Sequence, residues 1–453
     1  MANRFKTVNY EESLRQTVTI GTCLPPDHLA RFVVAIIALL DLSAIYARYA
    51  LVGGEAIAPE ILLGLLFYGY ATGVFSSRKI ETATYESIPF RFIAGGLHPD
   101  HDTIAHFRQT FLPEIAALFV QILLIAQEAG VLQLGTISLD GSKIHADASK
   151  SQAVSYKRLG EIEAYLRQEV AELLALSEQP DAPELPAGLH IAAEITWRQA
   201  RLTNLAEAKR VLEERAQERY AAERAEYEAK MQAREQQAQA TGRKPRGRAP
   251  VPPTPGPRDQ DQYNFTDPES RIMKNSTNKG FDQHYNPQIA VDQESFLIVG
   301  HTVSNHPTDQ AEAVPTLDAI PAEVGKPQAG ACDHGYFSVT NIEQFEARGV
   351  EPYIATGREP HHRSWRRYFL EQPAPPPEDA SPVAQMAYKL QTEIGQAIYR
   401  LRKCTVEPVI GIIKEVLGFR QFSLRGLAAV AGEWGLVCLA FNLKRLHTLL
   451  GTL

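Results

Sequence analysis

The stretch Val131–Lys150 restricts the fold of this chain more than any other, because it reads as a buried strand that ends in a carboxylate. Side chains alternate along a strand, so Ile137 and Leu139 take one face while Thr136, Ser138 and Asp140 take the other. Gly141 breaks the strand directly after the acid. An acid in that setting needs a charged partner, a metal ion or solvent. The rest of the chain has to supply groups that reach Asp140.

At 453 residues the chain exceeds one ordinary core and predicts two to three domains. Apolar residues make up 44% and charged residues 22%, so most of it should fold. The formal net charge is −7, which does not mark a nucleic-acid binder, so any such activity must rest on local basic patches. Cys23, Cys332, Cys404 and Cys438 are scattered without zinc-ligand spacing, and no secretory signal pattern is seen, so a reducing cytoplasm is the expected setting. The apolar runs 32–40 and 61–75 fall short of the roughly 20 residues of a bilayer span, and the C-terminal apolar segment carries Glu433. All three read as core helices, and no membrane is expected.

Leu29, Phe32, Val33, Ile36, Ile37 and Leu40 recur at helical spacing, and Ala58–Ala71 is a second helix with Pro59 near its start. Short helical pieces at Arg78–Ser87 and Asp102–Phe111 flank a glycine turn, a pattern compatible with a helix-turn-helix or with plain helical packing. Phe111–Gly130 delivers the chain to the strand. Residues 156–240 are rich in Glu, Arg, Ala and Gln with a thin apolar seam, and Pro180, Pro183 and Pro186 divide them into two helical arms. The arm is a spacer, a dimerisation element or a DNA-tracking element. A basic stretch at 241–248 and a run of prolines to Pro257 predict a mobile linker.

Beyond 259 the pattern alternates. Tyr285–Val291 and Phe296–Ser304 read as a strand pair, Ala311–Ile320 as a helix, and Ala329–Asp333 as a strand ending in a second acid. Glu343–Arg348 reads as a helix and Pro352–Ala355 as a strand, which points to an α/β core. Arg358, His361, His362, Arg363, Arg366 and Arg367 interleave with Trp365 and Tyr368, a mixture suited to a nucleic-acid backbone with splayed bases. Residues 383–401 predict one helix, and a further helix starts near Pro408. In the latter, Val406, Ile410, Ile413 and Leu417 form a buried stripe, and Glu407, Gly411 and Lys414 share a face. The last segment, Gly426–Leu450, is an apolar helix whose Glu433 could neutralise an arginine of the core.

Asp140, Asp333 and Glu407 thus stand at two strand ends and on a helix. Carboxylates brought together from distant segments are suited to holding two divalent cations, which clamp the attacking and leaving oxygens of an in-line phosphoryl displacement. No cysteine nucleophile, phosphate-binding glycine loop or Ser/His/Asp order competes. Asp147 is a less favoured first acid, His145 and His334 adjoin the acids, and Asp292 and Asp309 read as turn and cap residues.

The runs Leu139–Ala146, Ala331–Phe337 and Val406–Lys414, with Gly418–Gly426 and Leu439–Leu443 after them, resemble the DDE transposases of bacterial insertion sequences. Residues from about 26 to 130 resemble the InsH-type N-terminal transposase domain. The resemblance implies an α/β (α+β) fold: an RNase H-like catalytic core with a helical N-terminal domain and a helical or coiled-coil insertion. Domains are then expected at 1–128 (DNA binding and dimerisation), 129–150 (first part of the core), 151–258 (charged arm and linker) and 259–453 (the rest of the core). It implies two Mg²⁺ ions, replaceable by Mn²⁺, held by Asp140, Asp333 and Glu407. It also implies DNA as partner, a homodimer that pairs element ends, and no small-molecule substrate. The family's Tyr-Arg-Glu-Lys signature maps onto Tyr399, Glu407 and Lys414. Arg402 is one residue further from Glu407 than usual and Lys403 fits that spacing, so either could contact phosphate. Arg363, Arg366, Arg367, Arg420 and Arg425 complete the expected DNA contacts. A nuclease without strand transfer and an inactive DNA-binding derivative are the alternatives.

Overall fold

The computed structural model describes residues 17, 19–49, 55–178, 188, 190–243, 247–275, 280–357, 374–377 and 379–451. They form two compact units: residues 1–146 with 284–453, and residues 147–283.

The larger unit begins with helices α1 (Leu29–Ile37), α2 (Pro59–Ala71), α3 (Ser77–Glu86), α4 (Ile88–Ile93), α5 (His101–Thr110) and α6 (Leu112–Glu128). Proline stands in the first turn of α2, α4 and α6, where its missing N–H costs nothing. α2 is buried almost all round, which explains its lack of a polar face. α3, α4 and α5 gather around the expected glycine turn, in which Gly95 and Gly96 have φ of 60° and 82°.

The sheet follows. β1 (Thr136–Gly141) pairs antiparallel with β6 (Phe281–Asp292), Asp140 lying opposite Ile289. β2 (Ile144–His145) continues that ladder in the same register, and the Ser142 N–H donates to Pro287 O across the break at 3.0 Å. β7 (Ile298–Ser304) lies antiparallel on the other side of β6. β8 (Ala329–Cys332) runs parallel to β1, and β9 (Glu351–Ile354) parallel to β8. The order is therefore β7-β6-β1-β8-β9, with β2 prolonging β1. Helix α9 (Ala313–Asp318) connects β7 to β8, and α10 (Val339–Ala347) connects β8 to β9. Together with the helices this is a mixed α/β unit.

Two long helices complete it. α12 (Glu393–Gly411) packs on β1 and β8 after the short α11 (Pro382–Lys389). It begins earlier than the sequence suggested: the Thr392 hydroxyl caps it by accepting from Gly395 N at 3.1 Å, and it runs through Pro408. Proline read as a helix start is here an interior proline, and a π-turn follows at Ile412–Val416. α13 (Leu427–Leu450) packs against α2, α6 and β7. Its length and composition would suffice for a membrane span, but 67% of its apolar window is buried inside the protein, as expected of a core helix. Asn442 on α13 clamps β7, accepting from Ile298 N at 2.8 Å and donating to Ile298 O at 2.7 Å.

In the smaller unit, β3 (Ala153–Ser155) pairs with β4 (Gln262–Asn264) beside β5 (Arg271–Lys274). Helices α7 (Tyr156–Ser177) and α8 (Ile191–Thr241) are the two predicted arms; Pro180, Pro183 and Pro186 between them lie outside the described residues. Leu159, Leu166, Leu205, Ala208 and Leu212 form the seam between the two helices. α8 has 51 residues, a rod of about 77 Å. The stretch after it differs from expectation: residues 247–258 lie along α8 rather than forming a mobile linker. Arg234 and Arg219 of α8 donate to Gly247 O (3.3 Å) and Gly256 O (3.1 Å), and Arg258 pairs with Glu223 at 2.8 Å.

Candidate active site

The site grows from β1. Ser138 and Asp140 share one face of the strand, as alternation requires. The Ser138 hydroxyl meets the Thr405 hydroxyl of α12 at 2.9 Å, and Gln293 Nε2 donates to Ser138 at the same distance. This polar joint, buried at all three residues, fixes α12 over the strand. Thr405 then places Arg402 one turn before it, and Glu407 two residues after.

Arg402 closes the arrangement. Its guanidinium donates to Asp140 Oδ2 at 3.4 Å and to Glu407 Oε1 at 3.2 Å, and its central carbon lies over the Tyr399 ring, 5.5 Å from the ring centre. The Arg402 side chain is 5% exposed, whereas that of Glu407 is 51% exposed. Asp140 also accepts from its neighbour's backbone, Gly141 N, at 2.8 Å. Asp333 follows the end of β8, the strand beside β1, and caps its own turn by accepting from Gly335 N at 2.7 Å.

The three acids feel one another. Burial pushes the Asp140 carboxyl up to about 7; the charges of Asp333 and Glu407 push the same way, while Arg402 and the Gly141 N–H oppose them. Burial works against the charge of Arg402, but Asp140, Asp333 and Glu407 outweigh it. A carboxylate short of positive charge, with two more within electrostatic reach, is a donor set for a hard cation such as Mg²⁺. Among the described residues no three acid, histidine or cysteine side chains close around one point as a ready-made metal centre. A guanidinium occupies the place of positive charge between Asp140 and Glu407. The donors therefore fit the ion in kind, in an arrangement that has to open to take it.

Lys414 lies in the π-turn, half-buried. Its ammonium donates to Ser142 Oγ (3.0 Å) and Lys143 O (3.4 Å), at the break between β1 and β2. Burial lowers its pKa. Glu407, Gly411 and Lys414 flank open space: a Cβ on Gly411 would meet nothing within 4 Å. Of the expected stripe, Val406, Ile413 and Leu417 are buried, but Val409 takes the place of Ile410.

The remaining candidates divide. Lys403 is exposed on α12, Arg425 is exposed before α13, and Arg420 pairs with Glu415 while donating to Lys414 O at 3.2 Å. Arg363, Arg366 and Arg367, with the rest of the 358–368 patch, lie outside the described residues. Asp147 lies past β2, in the smaller unit. His145 packs its ring 4.3 Å from that of His284, and His334 contacts Ala355 O at 3.3 Å. Asp292 is the expected turn residue, accepting from Ser295 N at 2.8 Å.

Asp309 is more than the expected cap. Its Oδ1 accepts from Asn286 (2.8 Å) and Gln288 (3.0 Å) on β6, and Gln288 also accepts from the buried Tyr336 hydroxyl. Gln288 lies so close over Gly141 that a Cβ there would stand 2.1 Å from its Nε2. This cluster braces the ends of β1 and β8 from below, and no local sequence signal announces it.

Comparison with known families finds two matches, one towards each end of the chain. A model described as a transposase domain (DUF772) matches residues 18–110, and one described as a transposase DDE domain matches residues 377–447, which include Glu407 and Lys414. No curated protein and no solved structure matches the chain. Asp140 and Asp333 lie outside the matched residues and rest on the sheet geometry. With a transposase-domain match towards one end and a transposase DDE-domain match towards the other, the two family matches support a DDE transposase of an insertion element.

Proposed function

We propose that this protein is a DNA transposase that cuts at the terminal inverted repeats of its element and joins the ends to target DNA by in-line phosphoryl transfer. The observation that carries the proposal is the ion-paired set Asp140–Arg402–Glu407 at the end of β1, with Asp333 ending the neighbouring parallel strand. The strand order β7-β6-β1-β8-β9, three antiparallel strands followed by two parallel ones, supports an RNase H-like core.

Asp140, Asp333 and Glu407 would hold Mg²⁺, or Mn²⁺ in its place. When bound, the metal supplies the positive charge that stabilises the attacking and leaving oxygens. The protein's own cations position the DNA backbone. Lys414 is partly desolvated and held by neutral oxygens, so a phosphate offers it a stronger, charged partner. Lys403, Arg420, Arg425 and the 358–368 patch extend the phosphate contacts, and Tyr399 orients Arg402. The helices within 1–128 serve DNA binding and pairing of two copies, and the protein works in the bacterial cytoplasm on nucleoid DNA.

Single substitutions Asp140→Ala, Asp333→Ala and Glu407→Ala test the reading with a Mg²⁺-dependent cleavage assay on element-end DNA. Each is expected to abolish cleavage while leaving DNA affinity within about threefold, since catalytic acids do not add phosphate contacts. Retained cleavage in all three overturns the assignment. Supplying pre-cut ends separates a transposase, which joins them, from a nuclease, which does not.

A further inference from the structure

The spacing at Arg402 departs from the family signature, and the structure gives the departure a physical meaning. A helix turns 100° per residue, so position 403 lies on the solvent face with Glu407 while position 402 turns towards the sheet. Exposure follows that division: Arg402 is buried and Lys403 exposed. From below, the Arg402 guanidinium reaches both Asp140 and Glu407. Its Nε is buried with no hydrogen-bond partner, so the arrangement leaves a charged donor unsatisfied. A buried cation held this way by two carboxylates neutralises their repulsion but blocks them as ligands.

We propose that Arg402 is an internal counter-cation that bridges Asp140 and Glu407 in the DNA-free protein and competes with divalent metal for them. A backbone phosphate entering the site gives Arg402 another anion to pair with. The two carboxylates are then released together, so DNA and metal each tighten the binding of the other. Phosphate positioning at the usual signature spacing falls to Lys403. The device protects the cell from a metal-loaded nuclease centre in the absence of DNA. It rests on the metal-dependent reading of the site given above.

The test measures Mn²⁺ binding to the full chain by calorimetry and electron paramagnetic resonance, with and without element-end duplex. Without DNA, Arg402→Gln is expected to bind Mn²⁺ at least about tenfold more tightly than the unmodified protein, because a unit charge beside the ion is gone. Arg400→Gln, the same charge loss at an exposed position on α12, is expected to change it by less than about twofold. DNA is expected to tighten Mn²⁺ binding to the unmodified protein and to leave Arg402→Gln nearly unchanged. Unaltered or weaker Mn²⁺ binding by Arg402→Gln overturns the proposal, as does an equal effect from Arg400→Gln. Asp140→Ala separates the two levels: if it leaves Mn²⁺ binding intact, the metal site itself has been misassigned. Should Arg402→Gln fail to fold, Arg402→Lys keeps the charge but lacks the fork that spans two acids. It is expected to bind Mn²⁺ a few-fold more tightly, and no change there counts equally against the proposal.

Discussion

Glu433, an acid in the middle of the apolar helix α13, is the sharpest test of how the larger unit is held together. It is fully buried. Its carboxylate accepts from Ser423 N (2.9 Å), Leu424 N (3.0 Å), the Ser423 hydroxyl and the Tyr70 hydroxyl (3.2 Å). The Tyr70 hydroxyl in turn accepts from buried Arg108 at 2.9 Å. Burial first, and then the Glu433 charge, push the Tyr70 phenol far above its usual range, so it stays a proton donor. Glu433 and Arg108 are thus an ion pair relayed through a tyrosine. The relay ties α2 and α5, in the first matched domain, to α13 in the second. Glu433→Ala leaves two backbone N–H groups buried without acceptors and Arg108 without its anion. Breaking a buried pair from one side costs about 3–5 kcal/mol, a large part of a typical folding free energy. Glu433→Gln keeps the shape and one acceptor oxygen, and the expected loss is about 2 kcal/mol. Urea midpoints for Glu433→Gln, Arg108→Met and the double variant give a coupling energy, expected at about 1–2 kcal/mol although the two side chains share no direct bond. Additivity within about 0.3 kcal/mol would refute the relay.

Three further outcomes follow from local geometry. Gly141→Ala drives a Cβ into the Gln288 carboxamide, which Asp309 and Tyr336 hold in place, so a loss of about 1–3 kcal/mol is expected by thermal denaturation, with Gln288→Ala restoring part of it in the double variant. Burial lowers the His301 pKa to about 4, beneath its unfolded value of about 6.5. The folded-state pKa is depressed, so this stabilisation is complete above pH of about 6.5 and is lost as pH falls towards 4; it amounts to at most roughly 3 kcal/mol. His301→Phe should therefore flatten the melting temperature across that window, and an unchanged slope would count against a buried neutral imidazole. Thr405→Val removes the hydroxyl contact to Ser138, and a slower cleavage step is expected with DNA affinity unchanged and about 1–2 kcal/mol of stability lost.

Much of the sheet was readable because two rules act locally. Alternation along 136–140 and the glycine after it place Asp140 at a strand end, and the small-residue run at 329–332 does the same for Asp333. What escaped depends on contacts distant in sequence. The first residues of β6, Phe281–His284, alternate weakly, and it is pairing with segments distant in sequence, such as His284 with His145, that marks this end as strand. Asp309 receives its donors from β6, more than 20 residues upstream, so its own neighbourhood suggests no more than a turn. Pro408 suggested a helix start because proline favours first turns, but the cap at Thr392 had already begun the helix. The choice between Arg402 and Lys403 turns on which face of α12 the sheet covers, and spacing alone does not carry that information.

Two irregularities follow the glutamate that α12 presents, one inside the helix and one directly after it. Pro408, directly after Glu407, removes a helical N–H, and the π-turn at Ile412–Val416 changes the phase of everything beyond it. A regular helix would keep Lys414 stacked over Glu407, two turns on. With the π-turn, its ammonium reaches the break between β1 and β2 instead. The far end of that turn is fixed as well. Gly73, at φ 83°, presses on Leu417 O so closely that a Cβ would stand 2.7 Å from it. The stretch from Thr405 to Leu417 is therefore pinned at one end to the strand that bears Asp140 and at the other to the N-terminal helices. Between the pins, Glu407 is half-exposed and pairs with Arg402, while Lys414 is half-buried against Ser142 and Lys143.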